Sequence, residues 1–110
     1  MRQLKLKFAI ATLLLLAGQV DAKEHRLLNV SYDPTREFYR DFNKAFTEQF
    51  NAKSGDTVKI EQSHGGSGSQ SRAIIDGLKA DVATLALAGD IDPLAEIGGL
   101  LPKNGVSKLP

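Results

Sequence analysis

Three short apolar runs set the terms for this chain: Leu27 to Tyr32, Thr57 to Gln62 and Asp81 to Ala86. Each reads as a strand, and stretches of helical spacing lie between them where a hairpin would place a few turn residues. Parallel neighbours need a crossover of a dozen residues or more, whereas antiparallel ones close through a tight turn. The order β-α-β-α-β-α therefore predicts an α/β fold, a parallel sheet flanked by helices. Crossovers are right-handed, so the loops after the first and second strands open on one edge. That edge, beyond the carboxyl ends of the strands, is where such sheets bind ligands.

The intervening helices carry their own punctuation. Asp33-Pro34 suits a helix start, with Asp as cap and Pro in the first turn. From Arg36, Phe38, Phe42, Ala45, Phe46 and Phe50 recur at helical spacing, with Glu37, Arg40, Asp41, Lys44 and Glu48 opposite. This stripe is expected to pack on the sheet. Ser54-Gly55-Asp56 ends the helix, with Gly55 where a left-handed cap is wanted. Ala73, Ile74, Ile75 and Leu78 mark a second helix ending near Gly77. A third is expected from Asp92-Pro93 to Ile97.

Before the first strand, Met1 to Lys7 carries Arg2, Lys5 and Lys7, and Phe8 to Ala17 is almost wholly apolar. A spanning helix needs roughly 20 apolar residues, about twice this run. Val20 and Ala22 fit the minus-three and minus-one positions of a leader peptidase site, so residues 1–22 read as a signal peptide cleaved after Ala22. The chain has 14 Lys and Arg and 13 Asp and Glu; removing the leader takes three basic residues and one acidic residue, and the net charge becomes −1. That balance offers no electrostatic case for nucleic acid or an anionic membrane.

The stretch Gln62 to Ile75 reads QSHGGSGSQSRAII. A phosphate loop needs Lys after its last Gly, but Ser69 and Gln70 follow Gly68. A nucleophile elbow needs Gly-x-Ser-x-Gly with a His later in the chain; Ser69 occupies the final position, and His25 and His64 both precede Ser67. Those two His residues, with no Cys, make no metal set, and His64 reads as a hydrogen-bonding loop group. A linker would separate folded units, whereas this run joins a strand to a helix packed on it. Two readings stay open: a glycine turn of structural use only, or backbone N–H groups and small hydroxyls at a helix start that hold an oxyanion with neutral donors.

Three motifs carry a family resemblance: Leu28 to Arg36 (LNVSYDPTR), Gln62 to Gly68 (QSHGGSG) and Ala80 to Ala88 (ADVATLALA). In that order and spacing the chain from about Leu27 to Pro110 resembles the periplasmic sulfate-binding proteins, soluble receptors of ABC importers. The resemblance implies that residues 23–110 form an incomplete N-terminal α/β lobe, part of the first lobe of a type II periplasmic binding protein fold. It implies that Asp33 donates its backbone N–H to sulfate and Ser67 its hydroxyl. An Asp33 carboxylate facing a dianion would repel it, so its side chain is expected to turn onto the helix N-terminus. Sulfate carries no proton at neutral pH and suits a donor-only site. A protonated phosphate would leave its O–H unpaired there, at a cost of roughly 1–3 kcal/mol.

Relative to that family, Gly89 stands where an aromatic residue is usual and Ser69 where a basic one is common. The second lobe's donors, an indole among them, have no counterpart in a sequence without Trp. The expectation is a sulfate receptor, not an enzyme, represented by an N-terminal portion or truncated product. It should be periplasmic and monomeric, with sulfate and the importer's membrane subunits as partners and without cofactor or metal. A thiosulfate or other oxyanion receptor of the same fold is the nearest rival, although Gly65-Gly66-Ser67-Gly68 favours sulfate. A non-functional fragment and a secreted hydrolase, which would need an acid and a His beyond Pro110, are the others.

Overall fold

The computed structural model of the protein describes residues 21–105; all but the last two residues of the expected leader lie outside that range. Strand β1 (Glu24–Tyr32) leads through one 3-10 turn (Asp33–Thr35) into helix α1 (Arg36–Ser54). Strand β2 (Thr57–Gly65), helix α2 (Ser67–Ile75), strand β3 (Val82–Thr84) and helix α3 (Ala88–Glu96) follow. The three strands form a parallel sheet in the order β2-β1-β3. Strand β1 is central and pairs with β2 residue for residue, from Glu24 with Thr57 to Tyr32 with Gly65. The expected α/β architecture holds.

Alternation along β1 sends its side chains to two unlike faces. Val30, fully buried, meets Ile74 of α2 and Leu94 of α3, with Leu28, Ile75, Leu78, Ala83 and Ile91 packed around them. On the other face, Leu27 and Asn29 lie under α1, where Phe38, Tyr39, Phe42, Asn43 and Phe46 line an open groove of about 420 Å³. The stripe does lie over the sheet, but no residue of α1 is buried. Phe38 stays 60% and Phe42 49% exposed. Their rings, with those of Phe46 and Phe50, stack along the helix at centroid spacings of 5.7, 6.2 and 6.0 Å. The stripe packs on itself as much as on the sheet, because the three described strands are too narrow a floor for it.

Local signals set most boundaries. Gly55 takes a left-handed φ of 75°, and its N–H closes α1 on the Asn51 carbonyl at 2.9 Å. Strand β3 is shorter than expected. Just before it, Asp81 bonds Leu28 twice, through its N–H to the Leu28 carbonyl (2.9 Å) and through its carboxylate from the Leu28 N–H (2.8 Å). Two helices begin earlier than their apolar residues suggest. The glycine-serine run itself supplies the first turn of α2. Helix α3 starts at Ala88, which leaves Pro93 inside it. Pro93 has no N–H for the carbonyl four residues back; that residue, Gly89, is exposed, so water can serve the carbonyl.

Candidate anion site

The pairing of Tyr32 with Gly65 places the ends of β1 and β2 side by side. Asp33 and Gly66 leave the sheet together, each opening a helical turn. The first bond within α2 runs from the Gln70 N–H to the Gly66 carbonyl at 2.9 Å. The N–H groups of Ser67, Gly68 and Ser69 come before it and have no carbonyl partner inside the helix. The third strand ends at the same edge, and α3 starts close by. Helix starts carry partial positive charge, which an anion placed at this edge would meet.

Ser67 is fastened from two sides. Its Oγ accepts a hydrogen bond from the Ala86 N–H at 2.9 Å and donates one to the Asp90 carboxylate at 2.6 Å. Ser71, one turn on, donates to the Asp90 carbonyl at 2.6 Å. The two bonds from Ser67 and Ser71 tie the start of α2 to the first turn of α3. The Ser67 hydroxyl has one proton, and Asp90 holds it, so the group that Ser67 leaves open at the helix start is its N–H. The resemblance implies the hydroxyl as the group that meets sulfate; in this structure that hydroxyl is engaged by Asp90 and Ala86.

Asp33 also differs from expectation in its side chain. Neither the 3-10 turn nor α1 receives a side-chain cap. The Asp33 carboxylate instead accepts a hydrogen bond from the Arg36 guanidinium at 3.1 Å, in an exposed pair. An Arg three residues on is a stronger partner for a carboxylate than a backbone amide, and the turn brings it within reach. The repulsion that an anion would meet is offset by that guanidinium. Thr35 steadies the turn, its hydroxyl donating to the Tyr32 carbonyl at 2.8 Å.

Beneath both helix starts runs a polar network that sequence reasoning missed. Gln70, 6% exposed, donates through Nε2 to the Ser31 carbonyl (3.0 Å) and to Ser63 Oγ (3.2 Å). Ser31, fully buried, shares a 2.9 Å hydrogen bond with His64 Nδ1 and accepts one from Gln62 at 3.3 Å. His64 is thus a hydrogen-bonding group, placed not in a loop but as the penultimate residue of β2. Asn43 donates to Gln62 at 2.9 Å, and Tyr39 and Thr84 hydroxyls lie 2.6 Å apart. No buried side-chain N or O among the described residues lacks a partner. Such a network fixes the strand ends in one arrangement. Its signal in the sequence is slight: Asn29 and Ser31 alternate with Leu28 and Val30, and nothing local marks Gln70 or Asp90. At Gly89 an added Cβ would meet open space, so sterics do not require glycine there.

The model of the bacterial extracellular solute-binding proteins matches residues 32–109. The chain is 54% identical over 99 residues to the sulfate-binding protein of Salmonella typhimurium, covering 90% of this chain and 30% of that one. It is 48% identical over 101 residues to the thiosulfate-binding protein of Pseudomonas aeruginosa, covering 92% of this chain and 30% of that one. Among solved structures it resembles the sulfate-binding protein SubI from Mycobacterium tuberculosis H37Rv, with a TM-score of 0.59 and 28% identity over 76% of this chain and 28% of that one. The chain spans about 30% of the length of the curated relatives it matches. A match that begins at Tyr32 and runs through all three helices places the chain in the family of bacterial extracellular solute-binding proteins.

Proposed function

We propose that the chain is the anion-gripping first portion of a periplasmic sulfate receptor serving an ABC importer. The observation that carries this reading is the 54% identity to a sulfate-binding protein over 90% of the chain. Asp33 and Ser67 are the proposed ligands, each reaching sulfate through its backbone N–H. Both nearby carboxylates, Asp33 and Asp90, already hold a donor, Arg36 and Ser67 respectively. No catalytic step is proposed for the site. The leader directs export, with cleavage after Ala22, and the receptor works as a monomer that meets the importer's membrane subunits when loaded. The likeness to a thiosulfate-binding protein keeps that anion as the second candidate.

The isolated residues 23–110 should bind sulfate no better than the millimolar range, since the donors of a second lobe are missing. A chimera in which residues 23–110 replace the matching part of the Salmonella typhimurium protein restores the rest. Calorimetric titration of that chimera should show one sulfate bound with submillimolar affinity, and weaker binding of phosphate. A chimera that folds, by circular dichroism, and ignores sulfate would refute the reading. One that prefers thiosulfate would select the second candidate.

A further inference from the structure

At the amino end of the sheet, far along β1 from the anion edge, one carboxylate collects bonds that the proposed function does not use. Asp56 Oδ1 accepts a hydrogen bond from the Lys23 backbone nitrogen at 3.1 Å, and Oδ2 lies 3.1 Å from His25 Nε2. The Lys23 carbonyl in turn accepts the Thr57 N–H at 2.9 Å. Asp56 is held from the other side as well: its N–H donates to Ser54 Oγ and its carbonyl accepts from Asn51. The preceding residues, Asp21 and Ala22, are exposed and outside the strand. Lys23 is therefore held on both its N–H and its carbonyl, directly after the bond that the leader reading says is cut.

We propose that Asp56 is the docking site for the new amino terminus that leader removal creates at Lys23. Hydrolysis of the Ala22–Lys23 bond by a leader peptidase adds one water. Its oxygen joins the Ala22 carbonyl carbon, which leaves as a carboxylate, and both protons end on the Lys23 nitrogen, which becomes an ammonium. The nitrogen that donated a neutral amide hydrogen bond to Asp56 then donates a charged one, from the same place. Charge-assisted bonds of this kind are shorter and stronger than neutral ones. The ion pair exists only in the processed chain, so export and cleavage complete a contact that the precursor makes weakly. Around it, His25 shares the Asp56 carboxylate, and Glu24 pairs with Arg26 at 3.5 Å. The Asp56 carboxyl is held below the usual carboxylate range, by its hydrogen bond with His25 first and by the Lys23 N–H next.

This proposal rests on the leader reading, and two measurements separate their failures. Mass analysis of the exported chain should find a product that begins at Lys23; any other start overturns both. The α-amine of that product, followed by NMR, should titrate about half a pH unit above the ordinary 7.7–8.0. Asp56→Asn should return it to the ordinary value. A chain with one extra Gly ahead of Lys23 keeps Asp56 but moves the amine about 3.8 Å away, and should also titrate normally. That second variant decides the matter if Asp56→Asn folds poorly. A Lys23 product whose amine titrates alike in all three chains would overturn the docking site and leave the leader intact. Neither measurement depends on sulfate.

Discussion

The two faces of the sheet are built to different standards. Under α2 and α3, Val30, Ile74 and Leu94 form a small buried core, 6% exposed or less, at the edge of a groove of about 730 Å³ that Leu78, Ala83, Ile91, Leu100 and Leu101 also line. No residue of α1 is buried: the aromatic rings stack on one another over an open groove, and Phe38 and Phe42 remain 60% and 49% exposed. The difference reaches the anion edge. Ser67 lies on the α2 and α3 side, where Ala86 and Asp90 bind it. Asp33 belongs to an exposed turn leading into α1, and Arg36 and Thr35 steady it. One half of the proposed grip is fixed by packing, the other by local turn chemistry.

The largest test of that contrast is a pair of truncations in the chimera. Leu94→Ala should cost about 2–5 kcal/mol in chemical denaturation, as a buried leucine does when it leaves a cavity. Phe38→Ala, on a ring already mostly in water, should cost under about 1 kcal/mol. Equal losses would mean that α1 is packed as tightly as α3.

The next pair addresses the firm half of the grip. Ser67→Ala keeps the N–H and loses the hydroxyl that joins Ala86 to Asp90, so stability should fall by about 1 kcal/mol and sulfate affinity by less than tenfold. Ser67→Pro removes the N–H as well, at a first helical position where proline is tolerated. Its affinity should fall at least about tenfold further, the worth of one hydrogen bond to a charged ligand. Titration calorimetry of the two variants checks this, and equal affinities would return the role to the hydroxyl or to another residue.

The smallest effect lies at the amino end. A carboxyl whose folded pKa is depressed adds stability that is present above its unfolded pKa and is lost as pH falls through the folded one. For Asp56 that loss should come below the usual carboxylate range. The melting temperature of the parent should exceed that of Asp56→Asn at pH 7, and the gap should close in acid. The gap should be small because the group is exposed, and salt should shrink it.

Much of the scaffold was legible because its signals are local. Gly55 was read as a left-handed cap and takes that conformation. The parallel order followed from helical stretches between apolar runs. The misread boundary at α3 has a tertiary cause: Asp92-Pro93 suits a helix start, but Ser67 and Ser71 bind Asp90 two residues earlier, and Leu94 is drawn into the core. For the proposed site the resemblance supplied the positions, Asp33 and Ser67, and the side-chain partners of both were not legible. Ser67 meets Asp90 across 23 residues, and Gln70 meets Ser31 across 39. No local pattern encodes such pairs; they exist only once the sheet has set its register.

The central claim is that the paired ends of β1 and β2 present backbone N–H groups to one dianion. Amide resonances of the ¹⁵N-labelled chimera, followed during sulfate titration, test it most directly. The account predicts that, among residues 23–110, the Asp33 and Ser67 amides shift most and saturate together with one sulfate. Saturation with those two amides unmoved would contradict it.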